Sequence, residues 1–297
     1  MIELRRAEID ADLEAWRQVK LRVLPGERAP TVEELRAQPD RLFLLAELDG
    51  HLAGSGVAGP ADVAGRGFVA PRVLPGDRRR GVGSALLHEL AGHCVGLGFS
   101  KAGTLVNGSD AGSVAFARRF GFEEQRRDVE QVRFVAAATE EPPPPAREGV
   151  EIVSVAERPD LLREVYELAQ EGYADMAVSG DIEISLESWL REEATLPEGS
   201  FVALADGEIV GYAGLMEWPG DPTRAEHGLT VVRRGWRGRG LAPALKRRQI
   251  SWAAAHGLRE LVTWTQQGND NMRRVNERLG YEYRGVFLGM VAPLPLP

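Results

Sequence analysis

The chain is poor in the residues that build cross-links and metal sites. A single cysteine, Cys94, stands among 297 residues. No intrachain disulfide can form, and no thiolate metal cage can be assembled. Cys94 lies in the helical pattern LLHELAGHCVGLG, where a small enclosed side chain is the expected role rather than a nucleophile. The five histidines are scattered without an H-E-x-x-H spacing, so no metal is expected. No apolar run approaches the ~20 residues that a spanning helix needs. The opening MIELRRAEID carries charges where a secretory leader requires an apolar stretch. A cytoplasmic protein with no membrane partner is the expectation. An excess of basic charge is missing too: the formal net charge is -8, which argues against a nucleic-acid partner.

What is present is two halves. The segment 138–148, ATEEPPPPARE, contains four successive prolines, which join neither a helix nor a central strand and favour an extended spacer. It separates an expected domain at 1–137 from one at 149–297. The halves repeat each other in order. Each opens with a strand (IELRRAE; VEIVSVAE) and two helical segments. A hairpin follows, turning on Asp49-Gly50 in the first half and Asp206-Gly207 in the second. A fourth strand leads into a basic turn and a long helix closed by glycine. Another strand, a short helix ending on Gly121-Phe122 or Gly280-Tyr281, and a final β pair complete each half. This order implies an α/β domain with a mixed, mainly antiparallel sheet flanked by helices, present twice.

The basic turns carry the chemistry. Arg78-Arg79-Arg80-Gly81-Val82-Gly83 and Arg237-Gly238-Arg239-Gly240-Leu241-Ala242 both fit Arg-x-x-Gly-x-(Gly/Ala) between a strand and a helix. Small residues let a ligand approach the backbone. The free amides at a helix start, the helix dipole and nearby arginines then favour an oligophosphate. A Walker A loop would need Gly-Lys-Ser/Thr, which is absent here. A Rossmann fingerprint would open the first βα turn rather than follow a hairpin.

With these turns and the Asn269, Asn271, Asn276, Leu279, Gly280 and Tyr281 pattern of the last short helix, the chain resembles the GNAT superfamily of N-acetyltransferases, once per half. It is similar to the tandem members of that family, in a mycothiol-synthase-like arrangement. The resemblance implies acetyl-CoA as cosubstrate and a small amine as acceptor, in a monomer or a homodimer. The CoA pyrophosphate would rest on Arg237, Gly238, Arg239, Gly240, Leu241 and Ala242. The pantetheine and thioester would lie along Leu229, Thr230 and Val231, with Asn269 and Met272 beside the pantetheine arm. In the first half Arg78, Gly81 and Gly83 would be the corresponding phosphate turn.

The resemblance also singles out the C-terminal half as catalytic. Histone-type members carry a glutamate eleven positions before the phosphate turn. Here 237 − 11 gives Glu226 and 78 − 11 gives Gly67. Glu226 is either the general base or an exposed strand carboxylate; Glu217 and then His227 are the next candidates. The family's acid tyrosine falls at Asn276 in the second half and at Ala117 in the first. An amide at 276 has no acidic proton to give, although it has hydrogen bonds to offer a sulfur. Tyr281 and Tyr283 are read as core aromatics before substitute acids. The first half is therefore expected to be degenerate. Asp175, Asp181 and Glu183 offer either attraction for a cationic amine or a solvated loop. Trp218 and Tyr212 are candidates for an acceptor pocket, Trp236 for a place beside CoA, and Trp252 and Trp264 for the core. The leading reading is transfer of acetyl to a primary amine by direct attack on the thioester. The alternative is a non-catalytic acyl-CoA-binding or regulatory module.

Overall fold

The structure is a computed structural model, described at residues 1–136, 147–176 and 182–297. Most of the proline-rich spacer and Asp181 lie outside the described residues. The chain forms two compact units. Unit 1 is Met1–Arg126 with Phe287–Pro297, and unit 2 is Arg127–Val286.

Unit 1 contains β1 (Ile2–Arg6), α1 (Asp10–Val23), α2 (Val32–Arg36), β2 (Leu42–Leu48), β3 (His51–Pro60), β4 (Gly67–Val73), α3 (Val82–Gly96), β5 (Lys101–Asn107) and α4 (Ala111–Arg119). The next strand, β6 (Glu123–Phe134), crosses the boundary into unit 2. Unit 2 continues with β7 (Glu151–Ser154), α5 (Leu161–Ala174), α6 (Leu186–Glu192), β8 (Phe201–Ala205), β9 (Glu208–Glu217), β10 (Arg224–Val232), α7 (Leu241–Ala255), β11 (Glu260–Gln266), α8 (Asp270–Arg278) and β12 (Glu282–Pro293), whose last residues belong to unit 1.

The units depart from the expected halves at these two strands. Residues 287–293 of β12 pair antiparallel with β5 and complete the sheet of unit 1. Residues 128–134 of β6 pair antiparallel with β11 and complete the sheet of unit 2. A boundary placed at a proline-rich spacer reads chain continuity; a strand is placed by where its backbone groups find partners.

Within each unit the local chemistry explains the elements. Both hairpins turn on Asp-Gly with positive φ at each residue: Asp49 at 52° and Gly50 at 82°, Asp206 at 50° and Gly207 at 82°. That is the twist-matched two-residue turn for which Asp-Gly is suited. Helices cover both faces of each sheet. In unit 1, Leu13 and Trp16 of α1 pack on Phe43, Leu45 and Val57. On the opposite face α3 comes close because β3 carries Gly54 and Gly56. A Cβ at Gly56 would stand 2.8 Å from Leu90 Cδ1. In unit 2, Val165, Leu168 and Trp189 of α5 and α6 pack on Tyr212 and Val231, and Leu241 and Leu245 of α7 cover the other face.

Two features of strand pairing set up the site. The fourth and fifth strands of each unit run parallel and pair only at their first residues: Gly67 and Phe68 with Ala102 and Gly103 in unit 1, and Arg224, Ala225 and Glu226 with Glu260, Leu261 and Val262 in unit 2. Beyond that, their facing edges are not paired with each other. The second feature separates the units. β4 pairs with β3 in continuous register, whereas β10 carries an extra residue against β9 between His227 and Thr230. One inserted residue unpairs backbone groups locally and reverses which side chains face which side.

Candidate active site

The basic turn of unit 2 runs from the end of β10 into α7. Gly238 and Gly240 have φ of 73° and 81°, and Gly240 forms the left-handed N-cap of α7. A Cβ added to either glycine would meet nothing within 4 Å, so the turn is open to a ligand from outside. Among the described residues, no backbone hydrogen bond is donated by Gly238, Arg239, Gly240, Leu241 or Ala242. These amides and the positive end of the helix dipole make an anion cradle.

The arginines divide their work. Arg237 is held from below: its Nε donates to Val232 O at 2.9 Å, and its Nη2 pairs with Asp175 at 2.6 Å and with Glu171 at 3.4 Å. Arg234 joins the same acids through its guanidinium on Asp175 and its amide on Glu171. The side-chain hydrogen bonds of Arg234 and then Arg237 hold the Asp175 carboxyl at about 2. Asp175 is thus a brace for the turn and not a lure for an amine. Arg239 lies with its guanidinium carbon 4.7 Å from the Trp236 ring centroid and remains exposed, so it is the cation of the turn best placed for a ligand phosphate.

In unit 1 the turn has the same backbone with different side chains. Arg79 occupies the positive-φ position of Gly238, at 64°, and Gly81 has φ of 91°. Arg80 is paired with Asp49 and Asp77, and Arg78 lies 3.6 Å from Asp110. Gly83 faces inward, its missing Cβ 3.4 Å from Val73 Cγ2. Asp110 and Asn269 do the same job: each caps its short helix, accepting from Ser113 N and Met272 N respectively.

The bulge decides which side chains of β10 reach the face covered by α5 and α6. His227 points the other way. It is buried, with Nδ1 at 3.0 Å from Gln249 Oε1 and Nε2 against the Tyr281 hydroxyl. Because Gln249 Nε2 donates to Gly214 O, its carbonyl accepts from Nδ1–H and leaves Nε2 to accept from Tyr281. Burial, and then the charge of Lys246, hold His227 well below its ordinary range. It is a structural group and not a base, and Tyr281 is committed with it. Glu226, one position earlier, faces the α5–α6 side and is half-buried. Glu217 is exposed at the end of β9, where its amide donates to Thr195 Oγ1.

Asn276 does not have the role expected of it. It is fully buried, and its amide nitrogen donates to Gln131 Oε1 at 3.0 Å and to Thr265 Oγ1 at 3.3 Å. Both N–H groups are spent inside unit 2, leaving none for a departing sulfur. Trp218 is likewise buried, packing on Val132 and Val262 with the Arg224 guanidinium 3.9 Å from its ring. Trp252 and Trp264 pack half-buried at the margins of the core.

The sequence reading missed Glu193. It lies just past the end of α6 and its carboxyl accepts the Leu229 amide, which belongs to the bulge, at 2.6 Å. Its signal was available. Leu186, Trp189, Leu190 and Glu193 fall at i, i+3, i+4 and i+7, so a carboxylate sits on the apolar stripe of the helix. Desolvation pushes this half-buried group up to about 8, against the opposing hydrogen bond from Leu229. Lys246 was missed as well: it is buried on α7, with Nζ 5.2 Å from the Tyr281 ring centroid, and desolvation lowers it to about 7.

The repeated unit, its open fourth and fifth strands and its glycine turn define a class. The chain belongs to the acetyltransferase (GNAT) family, whose model matches residues 6–122 and again 162–281. It is an acyltransferase with tandem GNAT domains. Among its relatives, a mycothiol acetyltransferase of Brachybacterium faecium is 29% identical over 232 residues, spanning 76% of this chain and 68% of the relative. Two solved structures share the fold along the whole length. A tandem GNAT protein from the clavulanic acid biosynthesis pathway has a TM-score of 0.78 at 22% identity, covering 99% of this chain and 98% of its own. A GCN5-related N-acetyltransferase from Sphaerobacter thermophilus has 0.76 at 20%, covering 98% and 95%. Among the described residues no helix is long and apolar enough to cross a membrane.

Proposed function

We propose that unit 2 transfers an acetyl group from acetyl-CoA to a primary amine of a small molecule, by direct attack of the amine on the thioester. The observation that carries this reading is the β10 bulge. It turns the Leu229 amide and the Glu226 side chain to one face, at the point where β10 and β11 cease to pair.

The unpaired edges suit an extended, amide-bearing chain such as pantetheine, which adds to them as a strand would. Leu229, Thr230 and Val231 supply that edge. The pyrophosphate rests on the amides from Gly238 to Ala242, with Arg239 as its free cation and Arg237 as the braced support. Asn269 and Met272, at the start of α8, flank the same opening. The Leu229 amide polarises the thioester carbonyl; removing one such donor typically costs about 3–4 kcal/mol of transition-state stabilisation. Glu226 takes a proton from the amine, a contribution of about 10²–10⁴ in rate. The leaving thiolate is tolerable near neutral pH and needs no tyrosine. Unit 1 keeps the phosphate turn at Arg78, Gly81 and Gly83 but has no bulge in β4, and serves as a non-catalytic partner domain.

The test is a calorimetric titration with acetyl-CoA, followed by a thiol-release assay on an amine panel: a polyamine, an amino sugar, an aminoglycoside and a cysteinyl conjugate. The last is suggested by the relative named for mycothiol. Saturable binding with turnover of at least one amine supports the reading; binding without turnover of any of them contradicts it.

A further inference from the structure

Unit 1 encloses two polar side chains that the roles above leave idle. Ser55 of β3 and Arg72 of β4 are cross-strand partners, so both stand on one face of the sheet. The glycines on either side of Ser55 face the other way: a Cβ at Gly54 would meet Leu86 of α3, and one at Gly56 would meet Leu90. Ser55 and Arg72 therefore face α1, and the Arg72 guanidinium carbon lies 5.0 Å from the Trp16 ring centroid. The corresponding pair in unit 2 is Tyr212, five residues after Gly207 as Ser55 is after Gly50, and Val231, six before Arg237 as Arg72 is before Arg78. Tyr212 and Val231 belong to an apolar cluster. Where unit 2 has a ring and an aliphatic side chain, unit 1 has a hydroxyl and a guanidinium.

Their hydrogen-bonding groups are not satisfied within the unit. Ser55 is fully buried, and among the described residues its Oγ makes no hydrogen bond. Nε and Nη1 of Arg72 are enclosed, and neither donates to an acceptor. The two side chains thus share a face without being bonded to each other. Burial lowers Arg72 to about 10, and the charge of Glu27, in the segment after α1, opposes that fall without a hydrogen bond between them. The guanidinium is still charged at neutral pH. The Trp16 face attracts the cation but leaves its in-plane N–H groups without acceptors. An enclosed guanidinium and hydroxyl in that state are costly, and one oxyanion reaching both removes the cost. The charge count selects its kind: one guanidinium with one carboxylate nearby suits a monoanion better than a phosphate dianion.

We propose that the α1 face of unit 1 is a receptor for the carboxylate of a small molecule, held by the Arg72 guanidinium and the Ser55 hydroxyl with the Trp16 ring as its wall. Arg72 is partly exposed, so the guanidinium can be reached from outside while two of its nitrogens stay enclosed. The carboxylate accepts N–H groups of Arg72 with one oxygen or both, and accepts the Ser55 hydroxyl proton. The site lies wholly in unit 1 and stands whether or not unit 2 transfers acetyl groups. It gives the non-catalytic domain a ligand of its own.

The experiment is fluorine NMR of the full chain labelled with fluorotryptophan, titrated in turn with acetate, succinate, inorganic phosphate and, as the ionic-strength control, sodium chloride. The chain has six tryptophans, and Trp16→Phe assigns the resonance beside Arg72. A saturable shift of that resonance with acetate or succinate is expected, at concentrations that leave the other five in place. Arg72→Met should weaken the response about tenfold or more and Ser55→Ala about threefold. Arg72→Lys, which keeps the charge but not the planar fork, should fall between wild type and Arg72→Met. Circular dichroism checks each fold; should Arg72→Met unfold, Ser55→Ala carries the test. No shift of the Trp16 resonance with either carboxylate overturns the proposal. So does a shift that chloride reproduces, or one that folded Arg72→Met retains at full strength. A shift with phosphate alone overturns the assignment of the ligand as a carboxylate.

Discussion

Unit 1 and unit 2 share their hairpin turns, their open pair of fourth and fifth strands and the backbone of their basic turn, and the register of their fourth strands differs by one residue. The extra residue of β10 lies between His227 and Thr230; β4 has none. Its effect is on facing. Eleven positions before the basic turn, unit 2 has Glu226 on the face covered by α5 and α6. The same count in unit 1 reaches Gly67, whose missing Cβ would point at Cys94 Sγ of α3, 2.7 Å away. Without the bulge that position looks toward the opposite helix layer. A carboxylate restored there by mutation would be buried against α3 and not delivered to an acceptor. Under the proposed function, the lack of a carboxylate on this face of unit 1 is a matter of strand register as much as of side-chain identity.

The largest expected effect that sharpens this contrast is at Glu226. Glu226→Gln should lower kcat by about 10²–10⁴ with acetyl-CoA affinity near wild type, read by thiol release and calorimetry. Gly67→Glu should give no gain of activity and should unfold unit 1 at lower denaturant, because its Cβ has no room beside Cys94. Next in size is a test of the unit boundaries. A chain limited to 149–297 lacks the β6 residues that pair with β11, and is expected to be less stable and more prone to aggregate than one spanning 123–286. Equal denaturant midpoints would break the assignment of β6 to unit 2.

Lys246 offers a smaller effect confined to unit 2. Its folded-state value is lowered from 10.5 to about 7 by burial. Between those values the unfolded chain binds more protons, so stability should rise with pH across this window. Replacing it with methionine should stabilise the protein by about 1–3 kcal/mol near neutral pH and flatten that rise. Glu193 has the opposite sign. Its value is raised from 4.5 to about 8, the folded state holds the extra proton, and stability should fall as pH rises through that interval. Glu193→Gln should remove the fall, which thermal melts at several pH values will show.

Much of this fold was legible in advance, and the reasons are physical. Asp49-Gly50 and Asp206-Gly207 announce their turns because few other pairs take two positive φ values in succession. The Arg-x-x-Gly turns announced an anion site because glycine at a helix start has local consequences. What stayed hidden depends on distant partners. Nothing near Phe287 indicates that it pairs with Asn107, and nothing near Asn276 that its amide is spent on Gln131. The bulge was invisible for the same reason: an extra residue is extra only relative to β9. Glu193 lay between these cases. Its helical phase placed it inward, but a lone carboxylate on an apolar stripe reads as a frayed helix end until the strand beneath it is known.

The most direct test of the central claim, that unit 2 alone performs acyl transfer with its phosphate turn on α7, is paired bulky substitution of the two N-cap glycines. Gly240→Val and Gly81→Val both place a branched side chain at positive φ, 81° and 91° respectively, at comparable backbone cost. With folding checked by circular dichroism, Gly240→Val should reduce acetyl-CoA-dependent thiol release by about a hundredfold or more, while Gly81→Val leaves turnover within about twofold. Loss of activity in the Gly81 variant with retention in the Gly240 variant would contradict the account.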